Sequence, residues 1–356
     1  MVLFLTLEPM FQKVFSSALA FFLLLSPRSE AAEAQGVTVT ELAGKVRIEI
    51  RGELFTEYHF AGAPHVYFHP VVGPGGPPMT RAFPMQAGLE GEEQDHPHHR
   101  SLWYSHGSVN GVDFWSEGPT AGKIVHGKFL ELKSGANSGV IRSENHWIAP
   151  DGEVVCTDER TFRVYARPDS ERLFDFEITL KAGGKEVVLG DTKEGSMGIR
   201  IAESMRLTVG KNQPGQGHIV QSTGVRDGAT WGKRAEWCDY YGPIRHRQTF
   251  RALLPGKREE WGYYYGPMRD KILGIAIFDH PQNPKHPTWW HVRDYGLFAA
   301  NPFGLHDFEK KPPGTGNFVI PAGQSATFRY RFYLHEGDEQ QAKVAARYHE
   351  YTRPSK

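Results

Sequence analysis

The sequence predicts an all-β fold, a large many-stranded antiparallel β-sandwich that ends in a short helix. Polar and apolar residues alternate in many short segments, which is typical of strands with one buried face. The 39 glycines and 24 prolines among 356 residues favour turns over long helices. Helical spacing of apolar residues occurs only near the end, over 339–351. These observations together favour stacked antiparallel sheets.

The predicted strands follow one another along most of the chain. Alternation is clearest in 46–51, 160–165, 174–178 and 326–334, and the apolar run 272–278 predicts a buried strand. Further strands are predicted at 37–40, 55–60, 65–71, 123–132, 139–147, 157–165, 173–180, 187–189 and 198–202. No internal repeat or linker interrupts this series. A single domain over 35–356 is therefore expected.

The first 34 residues have the features of a secretory signal peptide. Lys13 precedes an apolar run over 14–25, and Ala32 and Ala34 form a small-x-small cleavage site. The run is short for a membrane span, although an uncleaved anchor is an alternative. Met10 is an alternative start. We expect an exported protein, periplasmic or extracellular, with no membrane span once the signal is removed.

The balance of charge limits the classes of binding partner that the sequence allows. The chain has 41 Lys and Arg against 41 Asp and Glu, so it lacks the positive charge of a general nucleic-acid binder. The expected partner is a small molecule.

The two cysteines, Cys156 and Cys238, leave two alternatives open in an exported protein, one disulfide or two buried thiols.

The segment 95–115, DHPHHRSLWYSHGSVNGVDFW, holds the densest group of chemically active side chains. Imidazoles and aromatic rings in such number predict a pocket wall, because imidazoles transfer protons and rings stack on sugars. The predicted acid–base residues in this segment are His98, His99 and His106. The predicted substrate-binding residues in this segment are Arg100, Trp103, Asp113 and Trp115.

The histidines of this segment are candidate metal ligands together with Asp95 or Asp113; they are His96, His98, His99 and His106. Pro97 interrupts the run, so the spacing matches neither an HExxH helix nor a zinc ribbon. A divalent transition metal therefore stays open as an alternative, and no cofactor is predicted outright. In a plainer interpretation, some of these rings only hydrogen-bond the backbone of a buried turn.

A second cluster follows the apolar strand at 272–278. In an extended strand His291, Arg293 and Tyr295 would face one side, which suits a site built on a sheet. The alternative is a charge ladder on a solvated face. The predicted site residues of this cluster are His280, Trp290, His291, Arg293, Asn301 and His306.

A third candidate segment is 191–203, DTKEGSMGIRIAE. Glu194 lies at a strand entrance, where a carboxylate can point into a pocket. Arg200 alternates with apolar neighbours and faces away from the apolar layer. The alternative is a turn followed by an ordinary strand.

The strings at 95–115, 191–203 and 274–304 resemble a family of secreted bacterial proteins labelled PmoA-like or "methane oxygenase PmoA". That label would imply a metal-dependent oxygenase or hydrolase. In its length, its many strands and its segments with His, Arg and Glu, the chain is also similar to the large β-sandwich of galactose mutarotases. That resemblance implies a histidine acid and a glutamate base acting on a sugar, and fold alone does not assign function.

These observations predict an exported carbohydrate-active protein that performs acid–base chemistry of the epimerase, hydrolase or lyase type. Glu194 is the expected partner of the catalytic histidines, which include His291. Arg200, Arg293 and Asn301 are expected to hold hydroxyls or a carboxylate. The alternatives are a carbohydrate-binding protein without catalysis, a metal-dependent enzyme and a structural protein whose clusters only connect loops.

Overall fold

The computed structural model describes residues 36–86, 91–210, 213–244, 247–251, 261–265 and 271–353. The predicted signal peptide at 1–34 and the alternative start Met10 lie outside the described residues. In the described part, two antiparallel sheets of eight strands each form a β-sandwich, accompanied by three two-stranded pairs. The predicted fold class is therefore confirmed.

The strands are listed here in chain order. They are β1 (Val37–Leu42), β2 (Lys45–Ile50), β3 (Glu53–His59), β4 (Tyr67–Phe68), β5 (Leu102–His106), β6 (Lys123–Lys133), β7 (Ser138–Ile148), β8 (Val154–Tyr165), β9 (Glu171–Lys181), β10 (Val187–Leu189), β11 (Gly195–Arg200), β12 (Thr208–Val209), β13 (Gln213–Pro214), β14 (His218–Gln221), β15 (Trp237–Ile244), β16 (Arg247–Arg251), β17 (Trp261–Tyr265), β18 (Lys271–Asp279), β19 (Trp289–Val292), β20 (Leu297–Asn301), β21 (Phe318–Ile320) and β22 (Ser325–Glu336).

The strands are arranged in two sheets that we call sheet I and sheet II. Sheet I has the order β1-β2-β3-β4-β5-β11-β20-β19, and sheet II has the order β14-β15-β18-β22-β9-β8-β7-β6. The remaining strands pair as β10 with β21, β12 with β13 and β16 with β17. Helix α1 (Leu305–Glu309) follows β20, and helix α2 (Val344–Thr352) follows β22. The predicted C-terminal helix is thus present, and its first residue is Val344.

The core lies between the two sheets and is rich in phenylalanine. Phe68 of sheet I stacks on Phe162 of sheet II with ring centroids 4.1 Å apart. Phe55 meets Phe174 across the same interface at 5.7 Å. Each fully buried side chain of this size contributes roughly 1.5–3 kcal/mol. The alternation in the sequence arises because every second residue of these strands enters this core.

The two cysteines are free and buried. Cys238 lies on β15 and Cys156 on β8, and three strands of sheet II separate them. Four steps between strands span roughly 19 Å, far beyond the reach of a disulfide. Of the two alternatives left open by the sequence, the structure has two buried thiols.

One prediction about the chain needs correction. No strand is predicted within 95–115, but Leu102–His106 forms β5 in the middle of sheet I. All five residues of this strand are buried, because both of its faces are covered. A strand covered on both faces shows no polar alternation, so the pattern does not reveal it.

Within the described ranges, none of the helices has the length and apolar character that a membrane crossing requires.

Candidate functional site

The candidate site lies on the face of sheet I that points away from the core, which we call the outer face of sheet I. Leu102 and Tyr104 of β5 enter the main core, whereas Trp103 belongs to a separate cluster on the opposite side. Trp290 and Val292 of β19 also enter the core, so His291 between them faces outward. The outer face therefore collects residues from segments that are far apart in the sequence.

Asp95 joins two buried arginines at this face. Its Oδ1 accepts hydrogen bonds from Arg81 and from Nη2 of Arg200, the latter at 2.9 Å. Its Oδ2 lies 2.7 Å from Nδ1 of His96. Burial raises the pKa of Asp95, but the hydrogen bond with His96 and the charges of Arg200 and Arg81 outweigh burial and hold it well below its usual value. The carboxylate is thus ionised and fixes the loop before β5.

Four rings form a column over the sheet. His96 stacks on Tyr295 at 5.2 Å and on His99 at 4.7 Å, and His99 stacks on Trp103 at 5.3 Å. Nη1 of Arg200 lies 3.3 Å from Nδ1 of His99. A guanidinium can only donate, so this nitrogen accepts. Burial first, then the neighbouring positive charges, lower the pKa of His99 well below its ordinary value, and the ring is neutral.

Glu194 is held in a turn between β10 and β11. The amide of Asn301 donates to the carbonyls of Thr192 and Lys193, each at 2.9 Å. The backbone N–H of Lys193 donates to Asp307 at 2.7 Å. These bonds fix the turn, while the carboxylate of Glu194 stays partly exposed at 35% and accepts from Nζ of Lys193 at 2.9 Å. Asn301 was predicted to hold substrate hydroxyls, but its amide hydrogens are taken by the turn.

His291 lies beside this turn and is buried. Burial lowers its pKa to about 4, and a hydrogen bond to the Lys193 backbone opposes that shift. Because the N–H of Lys193 is already bonded to Asp307, the ring donates to the Lys193 carbonyl. Nδ1 of His291 has no hydrogen-bond partner. In the neutral ring this nitrogen is a free acceptor.

His98 completes the group around Glu194. Its ring is half-buried and lies edge-on to His99 at 4.5 Å and to Trp115 at 6.4 Å. Burial and then the charge of His96 lower its pKa, whereas the charge of Glu194 raises it. The charge of Glu194 also acts on His291. The carboxylate therefore lies within electrostatic reach of both imidazoles.

Arg293 stands at the edge of the same group. Its guanidinium lies over the rings of Tyr295 at 5.4 Å and Trp231 at 5.9 Å. Arg293 and Tyr295 were expected to continue the strand of His291, but β19 ends at Val292 and both lie in the turn before β20. The tight turn nevertheless brings them to one side of the sheet.

Three further predicted residues of 100–115 lie at the border of the site. Their polar groups or rings contact other parts of the protein. Arg100 forms a two-point ion pair with Glu117, at 2.5 and 2.8 Å. Asp113 accepts the N–H groups of Trp115 and Ser116 at 2.7 and 3.0 Å. Trp115 is buried against Trp103 at 5.1 Å. These contacts support the ring column from below.

His106 is buried and already bonded at both ring nitrogens. Nε2 lies 2.7 Å from the Gly190 carbonyl, and Nδ1 lies 3.2 Å from Oγ of Ser196. Burial lowers its pKa to about 4. The ring therefore connects β5 to Gly190, which precedes β11, and to Ser196, which lies in β11.

Three other predicted residues are not brought to this group. His280 follows β18 of sheet II and contacts Tyr351 of α2 at 5.1 Å. Trp290 faces the core and donates to the Ala235 carbonyl at 3.0 Å. His306 lies on α1, and its Nδ1 is 2.6 Å from the Lys311 carbonyl.

Sequence reasoning missed Arg81 and Trp231. Arg81 is fully buried and donates to Asp95 and to the carbonyls of Asp95 and His96. It stands alone in a loop, between Thr80 and Ala82, so no motif marks it. Trp231 stands next to a glycine in a segment without alternation.

The histidine cluster does not fit a metal ion as it is arranged. Among the described residues, no group of three or more His, Cys, Asp or Glu side chains could hold one. Asp95 is turned toward two guanidinium groups, and Nδ1 of His99 accepts from Arg200. These positive charges oppose a cation at the same point.

Comparison with solved structures finds remote likenesses. An α-galactosidase from Lactobacillus brevis is 9% identical at a TM-score of 0.35, and the match covers 86% of this chain and 40% of that chain. A GalM/aldose epimerase homologue from C. elegans is 8% identical at a TM-score of 0.28, covering 85% of this chain and 99% of that chain. This chain thus spans well under half of the galactosidase. Likenesses this remote assign no activity.

No curated protein matches the sequence. One family model does, and its description is a family of unknown function, DUF6807. The PmoA-like resemblance is not confirmed by this match. Because the model covers residues 45–349, most of the chain, this protein belongs to the DUF6807 family.

Proposed function

We propose that this chain is an exported protein that performs acid–base chemistry on a sugar at the outer face of sheet I. Glu194 is the acid–base carboxylate and His98 is its imidazole partner. The observation that carries the proposal is the placement of Glu194. Its backbone turn is fixed by Asn301 and His291, while its carboxylate stays partly exposed within electrostatic reach of His98.

Proton transfer needs a base and an acid within reach of the same substrate. Glu194 takes a proton from a sugar hydroxyl, and the protonated form of His98 gives a proton to the oxygen whose bond to the same carbon breaks. The electron pair left on the hydroxyl oxygen forms the C=O bond that replaces it. The charge of Glu194 raises the pKa of His98, which opposes the lowering by burial and by His96. His291 is buried and bonds the Lys193 backbone, so it holds the turn that carries Glu194.

The ring column supplies the surface on which the sugar rests. His96 is 40% exposed and Tyr295 is half-buried, so their edges face the solvent. Trp103 and Trp115 are buried beneath and act as support rather than as the contact surface. Aromatic platforms with a few fixed polar groups are typical of small-molecule sites.

The test is a ligand screen on the purified chain from residue 35 onward. D-galactose, D-glucose, their uronic acids and short oligosaccharides are examined by saturation-transfer NMR and for conversion by proton NMR. We expect binding by at least one sugar, weakened in His98→Ala and unchanged in His280→Ala, which removes a histidine of sheet II. Equal loss in both variants, or in neither, contradicts the site.

Conversion distinguishes an enzyme from a binding protein. A sugar that binds at this site and is never converted supports the carbohydrate-binding alternative. Export is tested separately by sequencing the N-terminus of the protein recovered from the periplasm or medium. Cleavage after Ala34 is the expected result, and a cytosolic, uncleaved chain contradicts it.

A further inference from the structure

Arg293 has no carboxylate partner among the described residues. The neighbouring cations of the ring column and of the Glu194 turn are paired, Arg81 and Arg200 with Asp95, Arg100 with Glu117, Arg206 with Glu203 and Glu93, and Lys193 with Glu194. Arg234, which pairs with the first residue of β19, also lacks an ion pair within the described ranges, but its guanidinium donates to the backbone carbonyls of residues 285–287. Arg293 lies half-buried between two aromatic rings instead, so its positive charge is uncompensated.

This charge is directed at the proposed site. It acts on Lys193, His291 and Tyr295, the residues that surround Glu194. The rings of Trp231 and Tyr295 restrain the guanidinium, since a cation over an aromatic face is attracted to it. A guanidinium held in one orientation is prepared to receive a planar anion through two parallel hydrogen bonds.

We infer that Arg293 binds a carboxylate of the substrate, so that the sugar is acidic and of the uronic acid class. The inference rests on the proposed function and names its substrate class. The planar fork of the Arg293 guanidinium matches the two oxygens and the single negative charge of a carboxylate.

The experiment compares acidic and neutral sugars on the same protein. D-galacturonate and D-glucuronate are titrated against D-galactose and D-glucose by calorimetry at low salt. We expect the acids to bind about tenfold more tightly or better, as one charge-assisted pair of hydrogen bonds provides. Added salt weakens the acids more than the neutral sugars.

Two variants of Arg293 assign the effect. In Arg293→Gln the ratio of the affinity for the acids to the affinity for the neutral sugars is expected to fall to about one. Arg293→Lys keeps the charge but loses the planar fork, and an intermediate preference is expected. Arg163→Gln is the matched control, because Arg163 lies on β8 of sheet II and forms no ion pair among the described residues.

The outcomes separate this inference from the function on which it rests. Neutral sugars that bind as tightly as the acids, with or without Arg293, overturn the acidic substrate and leave sugar chemistry standing. A preference for a sulfated sugar overturns the carboxylate in favour of a sulfate ester. Failure of every sugar to bind overturns both.

Discussion

Asn301 donates a hydrogen bond of 2.9 Å to the carbonyl of Lys193 and thereby fixes the backbone next to Glu194. The residues are 108 positions apart in sequence. The amide on β20 thus positions a carboxylate that belongs to a different segment. Asn301 is a positioning residue in this arrangement.

Replacing Asn301 by alanine is expected to weaken sugar binding and to destabilise the protein by about 1–2 kcal/mol, because the carbonyls of Thr192 and Lys193 each lose one donor. Urea unfolding measures the stability, and calorimetry measures the affinity. Asn110→Ala is the matched control, since Asn110 also bonds backbone groups but lies in an exposed turn away from the site. Equal losses of affinity in the two variants would refute the positioning role.

The carboxylate of Asp95 is expected to stabilise the fold at neutral pH. Its pKa is held below the ordinary value in the folded chain, so its contribution is complete above about pH 4 and is lost as the pH falls further. Asp95→Asn leaves Arg81 and Arg200 buried without their anion. The expected cost is about 2–3 kcal/mol, less than for a fully enclosed pair because Asp95 is partly exposed.

Urea midpoints at neutral and acidic pH test this prediction. The wild type should lose stability faster than Asp95→Asn as the pH drops below about 4. Parallel curves for the two proteins would show that Asp95 carries no charge-dependent stability.

The glycine beneath the ring column is expected to resist enlargement. A Cβ at Gly198 would lie 3.0 Å from the ring of Trp103. That ring is enclosed by His99 and Trp115, so it has little room to shift. Gly198→Ala should cost about 1–3 kcal/mol through overpacking. Gly183→Ala is the control, because a Cβ there meets no atom within 4 Å. An equal loss of stability in the two variants would contradict the overpacking explanation.

The buried pair His335 and Asp239 predicts a loss of stability at alkaline pH. Burial lowers the pKa of His335, but Asp239, at 3.1 Å, raises it above its ordinary value overall. The contribution is complete below about pH 6.5 and is lost as the pH rises through the higher folded value. When the pH is raised from about 6 to about 9, the urea midpoint should decrease less in His335→Gln than in the wild type. An exposed-site control, His349→Gln, should follow the wild type.

The alternating strands could be predicted because one face of each meets the core and the other meets solvent. Segments 160–165 and 326–334 therefore appear in β8 and β22. Strand β5 escaped prediction because both of its faces are covered. The Tyr-Tyr-Gly-Pro sequence at 240–243 is typical of a turn, yet it lies inside β15, where nearly every residue is buried.

The site could be predicted only as segments. The three clusters contain Glu194, His98, His291 and Arg293, which the fold does bring together. Sequence proximity also suggested His280, which the strand order places on the other sheet. Which face a residue such as Trp290 takes depends on where its strand lies in the sandwich, and no local pattern encodes that.

The central claim is that Glu194 performs the acid–base step. The most direct measurement is sugar conversion by wild type and Glu194→Gln, followed by proton NMR in D2O, which detects anomer interconversion, new products and loss of carbon-bound hydrogen. The account predicts that the glutamine variant still binds the sugar but converts it about 100-fold to 10,000-fold more slowly, as expected for loss of a general base. Conversion at the wild-type rate by a folded Glu194→Gln protein would contradict it.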